Sequence, residues 1–316
     1  MSITTVSRVL NGKGKVSEAT RQRVKEVLAR HHYQPSAIAR GMVSKSLRNV
    51  AVLLPDLRTP TYAKAAHVVE SECAHRGYHV IVCNTGDGAE DALSYLQLMS
   101  QRQVDGVMFI GSCYSALRQH AQLEGLLHGT PCVSLNCELG LSGAYSVMVD
   151  DRAGMMQAVE HLLHKGHERV AFVTDGQNDS AQRKLEGYHS VLQRWGKQPW
   201  VIPAENTLEG GMEAARHFLS QQNGYTALAC AEDILAAGVL KELCRSGISV
   251  PDTIAITGYN SSVYAKICEL TLTTVDSRWE MLGLMGVQTL TSLMEGHPES
   301  CASMTIQPAL VVGQSS

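Results

Sequence analysis

Apolar residues near the start of the chain recur at helical spacing. Val6, Val9 and Leu10 stand at i, i+3 and i+4, which predicts a helix from Ser2 to Leu10. Asn11-Gly12 ends this helix, because glycine is the usual residue just past a helix terminus. The first element predicted is therefore a short amphipathic helix.

A second helix is predicted from Glu18 to about His31. Ser17 is a good N-cap for it, and Glu18 places an acid in the first turn, where the helix dipole favours one. Its expected apolar face consists of Val24, Val27 and Leu28. A third helical stretch, residues 37–44, follows Pro35 and is too short to be stable alone in water.

From Asn49 onward the pattern changes to apolar runs that alternate with amphipathic helices. The run Val50–Leu54 is typical of a buried parallel strand, and a helix over about Tyr62–Arg76 follows it. This alternation continues to about Thr257, with a second series beginning near Tyr145. The pattern predicts an α/β protein with two lobes, each a parallel sheet flanked by helices. Ligands of such folds bind in the cleft facing the carboxyl ends of the strands.

The charge distribution separates the two regions. The first 48 residues hold ten Lys or Arg against two acids, whereas the remainder holds 17 basic and 28 acidic residues. A basic segment attached to an acidic body is typical of a nucleic-acid-binding module joined to another domain.

The cysteines and the hydropathy indicate the compartment. The nine cysteines are odd in number, scattered and without a CxxC pair, which favours buried thiols in a reducing cytosol. No early apolar run resembles a signal peptide, and no run of about 18 apolar residues predicts a membrane span. We therefore expect a cytoplasmic protein.

Enzymatic and metal-binding alternatives find little support. Gly12–Ser17 follows a helix and lacks the third glycine of a dinucleotide-binding fingerprint. His161, His164 and His167 stand at i, i+3 and i+6, but the third lies beyond Gly166, where the helix is expected to end. No paired carboxylates suggest an acid–base couple, so we expect no enzyme activity, no cofactor and no metal. A sugar-binding protein without a regulatory role would need an export signal and would leave the basic segment unexplained.

Several motifs, in order along the chain, resemble the LacI/GalR family of bacterial repressors. They are TVSRVLNG at 5–12, Val16-Ser17 with Thr20-Arg21, Tyr33 with Pro35, VLLPDL at 52–57, AVEHLLHKGH at 158–167, LEGY at 185–188, AAG at 236–238, VPD at 250–252, ITGY at 256–259 and LTTV at 272–275. The resemblance covers essentially the whole chain. It implies a helix-turn-helix head and hinge over residues 1–45 and a periplasmic-binding-protein-like effector and dimerisation core over 46–316.

The resemblance also implies which residues meet operator DNA. Ile3, Thr4 and Arg8 match positions that contact base edges, and an arginine can pair bidentately with guanine. The phosphate-contacting positions correspond to Ser2, Thr5, Ser7 and Asn11. In the hinge, Ala39 and Met42 match the pair that enters the minor groove, where an apolar side chain can unstack a base step.

The beginning of the chain departs from the family pattern. Members carry some fifteen further residues, which form the first helix of the helix-turn-helix and its turn. We hypothesise that the true start lies upstream, at a gene position where a GTG codon has been read as Met1. An in-frame stop directly before Met1 would instead indicate a truncated protein with weak operator binding.

The cleft departs from the family pattern as well. Lys184 stands where members have an arginine that grips the effector, with Arg183 beside it as a substitute. Glu232-Asp233 replaces a common Asn-Asp, Asn260 replaces a common Asp, and Trp279 stands where sugar-binding members place an aromatic ring. The predicted effector site comprises Tyr62, Ser112, Asp150, Arg183, Lys184, Glu232, Asp233, Asn260 and Trp279. Its polar set favours a hydroxylated ligand, with an amino or acid group left open, and Asp150 is equally explained as a helix cap.

The function expected from this resemblance is repression of a carbohydrate-utilisation operon. A homodimer would bind a palindromic double-stranded operator and leave it when a sugar or sugar derivative binds. The family's optional tetramer tail is not expected, since the chain ends Ala309–Ser316 without an apolar heptad. The alternative is a relative that binds a sugar-like ligand but has lost operator binding.

Overall fold

A computed structural model describes residues 3–10, 16–31, 46–176, 178–221 and 224–316. The chain divides into two compact units, residues 1–47 and 48–316. Ser2, Asn11, Ala39 and Met42 lie outside the described residues, as does the predicted helix over 37–44.

The smaller unit contains two described helices, α1 (Ile3–Leu10) and α2 (Glu18–Arg30). The predicted cap is confirmed, since the Ser17 side chain accepts a hydrogen bond from the Thr20 amide at 3.4 Å. Val9 on α1 and Val24 on α2 are buried where the helices pack together. The expectation that Val27 belongs to the buried face of α2 is wrong: Val27 is 50% exposed, whereas Val24 is buried.

The first lobe of the larger unit is built on a parallel sheet of six strands. The strands run in the order β11-β5-β4-β3-β1-β2, where β11 is Met304–Ile306, and every neighbouring pair is parallel. The elements are β1 (Asn49–Leu54), α3 (Pro60–His75), β2 (His79–Asn84), α4 (Ala89–Gln101), β3 (Gly106–Ile110), a 3-10 helix (Ser112–Gln119), α5 (Gln122–Leu127), β4 (Cys132–Leu135) and β5 (Ala144–Val149). The apolar runs β1, β3 and β4 form the middle of this sheet, and their side chains are buried on both faces.

The second lobe repeats this arrangement with one change. Its strand order is β12-β10-β9-β8-β6-β7, where β12 is Ala309–Val311, and only the pair β10 with β12 is antiparallel. The elements are α6 (Asp151–His164), β6 (Val170–Thr174), α7 (Asp179–Arg194), β7 (Val201–Pro203), α8 (Leu208–Gln221), β8 (Ala227–Cys230), α9 (Asp233–Arg245), β9 (Ala255–Tyr259), α10 (Val263–Ile267) and β10 (Thr273–Asp276).

The last third of the chain crosses between the lobes more than once. After β10, α11 (Trp279–Met294) packs in the core of the first lobe, where Trp279, Leu282 and Leu290 are buried. A 3-10 turn (Pro298–Ser300) leads to β11 (Met304–Ile306), which joins the first sheet beside β5. The next strand, β12 (Ala309–Val311), joins the second sheet. Together with the segment between β5 and α6, three chain segments therefore connect the lobes.

One predicted helix has a different form. The sequence predicts a single helix over Ser115–Leu127, but the structure has a 3-10 helix followed by the short α5. Tyr114 and Leu117 are both buried, and the three residues per turn of a 3-10 helix place these two side chains directly above one another. His120, whose backbone is extended, separates the two helices.

Candidate functional site

A buried lysine lies at the centre of the cleft wall formed by the second lobe. Lys184, on α7, donates hydrogen bonds from Nζ to the Ala231 carbonyl and to Glu232 Oε1, both at 2.9 Å. The ammonium also lies 4.1 Å from the centroid of the Tyr259 ring, within the range of a cation–π contact. Only 2% of Lys184 is exposed, so its charge is held by protein groups.

Glu232 joins this lysine to Asn260. Glu232 directly precedes α9 at the carboxyl end of β8, and Asn260 directly follows β9. The second carboxylate oxygen of Glu232 accepts a hydrogen bond from Asn260 Nδ2. Burial raises the pKa of Glu232, and the neighbouring Lys184 opposes that rise. Both carboxylate oxygens thus have partners at the strand ends.

Two aromatic rings of the first lobe complete the site. Trp279, the first residue of α11, donates from Nε1 to Asn260 Oδ1 at 3.3 Å, an oxygen that also accepts from Ser277. Tyr62, in the first turn of α3, packs edge-to-face on Trp279 with ring centroids 5.6 Å apart. Burial raises the pKa of Tyr62, and the charge of Glu232 adds to that rise.

A glycine allows the tyrosine to occupy this position. Gly111 has φ +126°, and a Cβ built on it would lie 3.2 Å from the Tyr62 ring and hydroxyl. A side chain there would crowd the phenol and strain the backbone. Tyr62, Lys184, Glu232, Asn260 and Trp279 therefore come together as one site lined by aromatic faces and hydrogen-bonding groups.

Two of the predicted acidic residues have other partners. Asp150 caps α6 by accepting from the Ala153 amide at 2.9 Å, and its other oxygen accepts from Gln307. Asp233 is 1% exposed and accepts from the Ser262 amide at 2.6 Å and from the Thr274 hydroxyl. Burial raises the pKa of Asp233 to about 7. Both carboxylates thus stabilise neighbouring loops through hydrogen bonds within the protein.

Arg183 belongs to a second network, centred on Asp151. Its Nη2 donates to Asp151 Oδ2 at 2.8 Å and to Asn136 Oδ1 at 3.1 Å. Asp151 also accepts from Asn136 Nδ2 at 3.2 Å and from the Tyr259 hydroxyl at 3.1 Å. Asn136 comes from the first lobe, whereas Arg183 and Tyr259 come from the second. The network therefore connects the lobes.

Sequence reasoning missed Asp151, Asn136 and Tyr259. The only signal for Asp151 was the adjacent pair Asp150-Asp151 before a helix, where one carboxylate suffices as the cap. The side chain of Asp151 is 1% exposed, and a carboxylate is rarely buried without charged or hydrogen-bonding partners.

The start of α7 makes two further contacts with the first lobe. The Ser112 hydroxyl donates to Asn178 Oδ1 at 2.9 Å, and Arg118 forms an ion pair with Asp179 at 2.6 Å. Asn178 also caps α7 by accepting from the Ala181 amide. The predicted site residue Ser112 is thus 6% exposed and occupied in a contact between the lobes.

In the smaller unit, the structure locates some of the predicted DNA-contacting residues. Ile3, Thr4, Thr5, Ser7 and Arg8 all lie on α1. Arg8 is exposed and Thr5 is partly buried. An exposed arginine on a short helix is available to a nucleic acid.

The three histidines considered for metal binding have separate environments. His161 shares a 2.9 Å hydrogen bond with Ser316, and His167 shares one of the same length with Thr226. The His164 ring packs on Trp195. The described residues contain no group of three His, Cys, Asp or Glu side chains placed to hold a metal ion.

The fold and the cleft define a class of protein: a two-lobed, binding-protein-like core attached to a helical, basic N-terminal segment. Residues 159–316, half of the chain, match the family described as periplasmic binding protein-like domain. Residues 1–36 match the family described as bacterial regulatory proteins, lacI family. Among the described residues, no helix is both long and apolar enough to cross a membrane.

Individual relatives agree with these matches over the full chain. The chain is 28% identical to the HTH-type transcriptional regulator DegA of Bacillus subtilis, covering 100% of this chain and 94% of that protein. It is 27% identical to the ribose operon repressor of Haemophilus influenzae, covering 100% and 95%. A lac repressor dimer, solved with operator and the anti-inducer ONPF, has the same fold, with TM-score 0.90 at 23% identity and coverage of 100% and 95%.

The chain belongs to the lacI family of bacterial regulatory proteins. The relatives that it matches are transcriptional regulators and not enzymes. The α/β two-lobed fold predicted from the sequence is confirmed.

Proposed function

We propose that this protein is a homodimeric, sequence-specific repressor that binds a palindromic operator and leaves it when a small sugar-like effector enters the cleft. The observation that carries the proposal is the site of Tyr62, Lys184, Glu232, Asn260 and Trp279 at the strand ends. It combines aromatic faces with hydrogen-bonding groups, as recognition of a hydroxylated ring requires. A regulator of this kind works in the cytoplasm, where the chromosome is.

The effector would act by changing how the two lobes are arranged relative to each other. Tyr62 and Trp279 belong to the first lobe, whereas Lys184, Glu232 and Asn260 belong to the second. A ligand that contacts both walls stabilises the lobe arrangement in which both contacts form. The lobe-connecting contacts at Asp151 and at the start of α7 must then either fit that arrangement or break. Because the relatives include operon repressors, we favour release of DNA on effector binding.

DNA recognition is assigned to α1 and the hinge. Arg8 is the proposed base-reading side chain, with Ile3 and Thr4 beside it. Ser2, Thr5, Ser7 and Asn11 are proposed to contact phosphates, and Ala39 and Met42 the minor groove. Phosphate contacts release counterions and should make binding fall steeply with salt.

A gel-shift titration of the full chain at about 50 and 200 mM salt tests this proposal. With six to ten phosphate contacts, operator affinity should fall about 10³- to 10⁵-fold between the two conditions. Arg8→Ala should weaken binding by about 1–3 kcal/mol and relax preference at one base pair. Arg30→Ala is the matched control, because Arg30 is an exposed arginine at the end of α2.

The outcomes of these experiments distinguish a repressor from a relative that binds a sugar-like ligand but has lost operator binding. Unchanged base preference in Arg8→Ala would contradict base reading by this residue. Sugar binding in a protein with no salt-dependent DNA affinity would contradict the repressor assignment.

A further inference from the structure

Helix α7 contacts the first lobe through two neighbouring residues at its start. The Ser112 hydroxyl donates to Asn178 Oδ1 at 2.9 Å, and Arg118 forms an ion pair with Asp179 at 2.6 Å. Ser112 and Arg118 belong to the 3-10 helix of the first lobe, whereas Asn178 is the N-cap of α7 and Asp179 its first residue. Both contacts therefore join the segment that follows β3 to the segment that follows β6.

The sheet topology places these contacts away from the lobe junction, which consists of the three connecting segments 149–151, 276–279 and 306–309. Strand β3 lies two strands from β5, and β6 lies three strands from β10. With about 4.8 Å between neighbouring strands, the contacts lie about 10–14 Å from the junction. A rotation of about 10° about the junction moves a point at that distance by about 2 Å, which breaks hydrogen bonds of 2.6 and 2.9 Å.

The network of Asp151 differs because it lies at the junction itself. Asp151 belongs to a connecting segment, and the backbone N–H of Asn136 donates to the carbonyl of Val147 on β5. The Asp151 side chain is 1% exposed, whereas those of Arg118 and Asp179 are 44% and 40% exposed. A rotation about the junction therefore disturbs the contacts at the start of α7 first.

We infer that the two contacts at the start of α7 form a latch, which holds the lobes closed and must open before a ligand exchanges with the inner cleft. Each contact joins two protein side chains, so it stabilises the closed arrangement independently of any ligand. Lys184, on the same helix, is 2% exposed, and a ligand reaches it through the open arrangement. A tighter latch slows both entry and release of a ligand. The latch follows from the two-lobed fold and does not require that the effector be a sugar.

Exposure makes half of the latch sensitive to salt. An exposed ion pair such as Arg118 with Asp179 changes an equilibrium by up to about fivefold, and dissolved ions screen it. The hydrogen bond between Ser112 and Asn178 joins uncharged groups, so salt leaves it nearly unchanged. The ratio of open to closed protein should therefore rise with salt by up to about fivefold.

Nitroxide labels on the two lobes measure this ratio directly. Asp87, after β2, and Asn206, after β7, are exposed positions beyond the strands farthest from the junction in each sheet. Labels attached through p-acetylphenylalanine leave the nine native cysteines unmodified. At four strand spacings from the junction, a rotation of about 10° changes the separation by about 3 Å, which pulsed EPR resolves. Labelled full chain is mixed with excess unlabelled chain, so that the distances measured lie within one copy.

Charge reversal tests the ion pair. Arg118→Glu and Asp179→Lys each replace an attraction by a repulsion, and each should raise the open-to-closed ratio about fivefold or more. The double variant restores the pair with opposite polarity and should return the label distance towards that of the wild type. Arg194→Glu is the matched control, because Arg194 pairs with Glu160 at 2.6 Å and both residues belong to the second lobe.

Two milder variants test the latch without reversing a charge. Raising the salt from about 0.05 to 0.5 M should open the wild type, but should have no effect on Arg118→Gln, which lacks the ion pair. Ser112→Ala removes only the neutral hydrogen bond and should open the lobes equally at both salt concentrations.

The label distances decide between a latch and an incidental surface contact. Distances that stay at the wild-type value in Arg118→Glu, Asp179→Lys and Ser112→Ala would overturn the inference. A double variant that is as open as either single reversal would also overturn it, as would equal opening in Arg194→Glu. Opening by salt that is as large in Arg118→Gln as in the wild type would contradict the part assigned to the ion pair.

Discussion

Replacing Asp151 by alanine should destabilise the larger unit strongly. Asp151 is 1% exposed and accepts hydrogen bonds from Arg183, Asn136 and Tyr259. Removing one partner of a buried ion pair costs about 3–5 kcal/mol, because the remaining charge is left uncompensated. The Arg183 side chain is 25% exposed, so water can reach it, and we expect a loss near the lower end, about 3 kcal/mol.

Asn variants of the adjacent aspartates provide a matched comparison. Asp151→Asn keeps a hydrogen-bond acceptor but removes the charge, and should cost about 1–2 kcal/mol. Asp150→Asn makes the same chemical change one residue earlier, where asparagine remains a good N-cap, and should change stability by less than about 0.5 kcal/mol.

Urea unfolding of these proteins, followed by circular dichroism, measures the differences. A double-mutant cycle of Asp151→Asn with Arg183→Met should give a coupling energy of about 1 kcal/mol or more between the two sites. A loss below about 1 kcal/mol in Asp151→Ala, or strictly additive effects in the cycle, would refute the assignment of Asp151 as the centre of a network joining the lobes.

Three further predictions concern packing, pH and the cleft. Gly238→Ala should lower the free energy of unfolding by about 1–3 kcal/mol, because the new Cβ would lie 2.2 Å from the Leu208 carbonyl oxygen where α9 crosses α8. Gly125→Ala is the control: its Cβ meets open space, and the free energy of unfolding should stay nearly unchanged. The pKa of Asp233 is about 7 in the folded state, above its unfolded value, so its contribution to stability is complete at low pH and is lost as pH rises through 7. Asp233→Asn should therefore flatten the fall in unfolding free energy between pH 5 and 8. Parallel curves of unfolding free energy against pH for the wild type and the variant would contradict this prediction. Trp279→Ala should weaken the effector response in gel shifts while leaving effector-free operator binding unchanged, and loss of both would indicate a folding role.

Much of the strand and helix order could be predicted from the sequence. The apolar run between Asp105 and Gly111 predicts a buried strand over Gly106–Ile110, and β3 has these bounds. The amphipathic pattern likewise predicts a helix over Trp279–Glu295, and α11 begins at Trp279. In such segments the spacing of apolar residues and the residues that flank them indicate the same side chains that the structure shows to be buried.

The exchange of elements between the lobes could not be predicted from periodicity. The apolar pattern of α11 indicates that one face is buried but not which sheet it covers, and the structure places it on the first lobe. The same holds for β11 and β12, which are three residues each and join different sheets. Pairings between distant segments depend on the packing of the whole unit.

The grouping of several cleft residues was predictable, but their partners within the group were not. The family resemblance implies that Lys184, Glu232, Asn260 and Trp279 line one cleft, and the structure brings these four side chains together. Their partners were not predictable, because Lys184 and Glu232 are 48 residues apart and nothing local indicates that they form an ion pair. Likewise, local sequence could not distinguish the cap Asp150 from the buried Asp151.

Selection of binding sites from random double-stranded DNA by the full chain is the decisive measurement. We expect enrichment of one palindromic sequence, with affinity that falls steeply with salt and is reduced by a ligand that binds in the cleft. If no sequence is enriched while sugar binding in the cleft persists, the protein is a ligand-binding relative and the repressor account is contradicted.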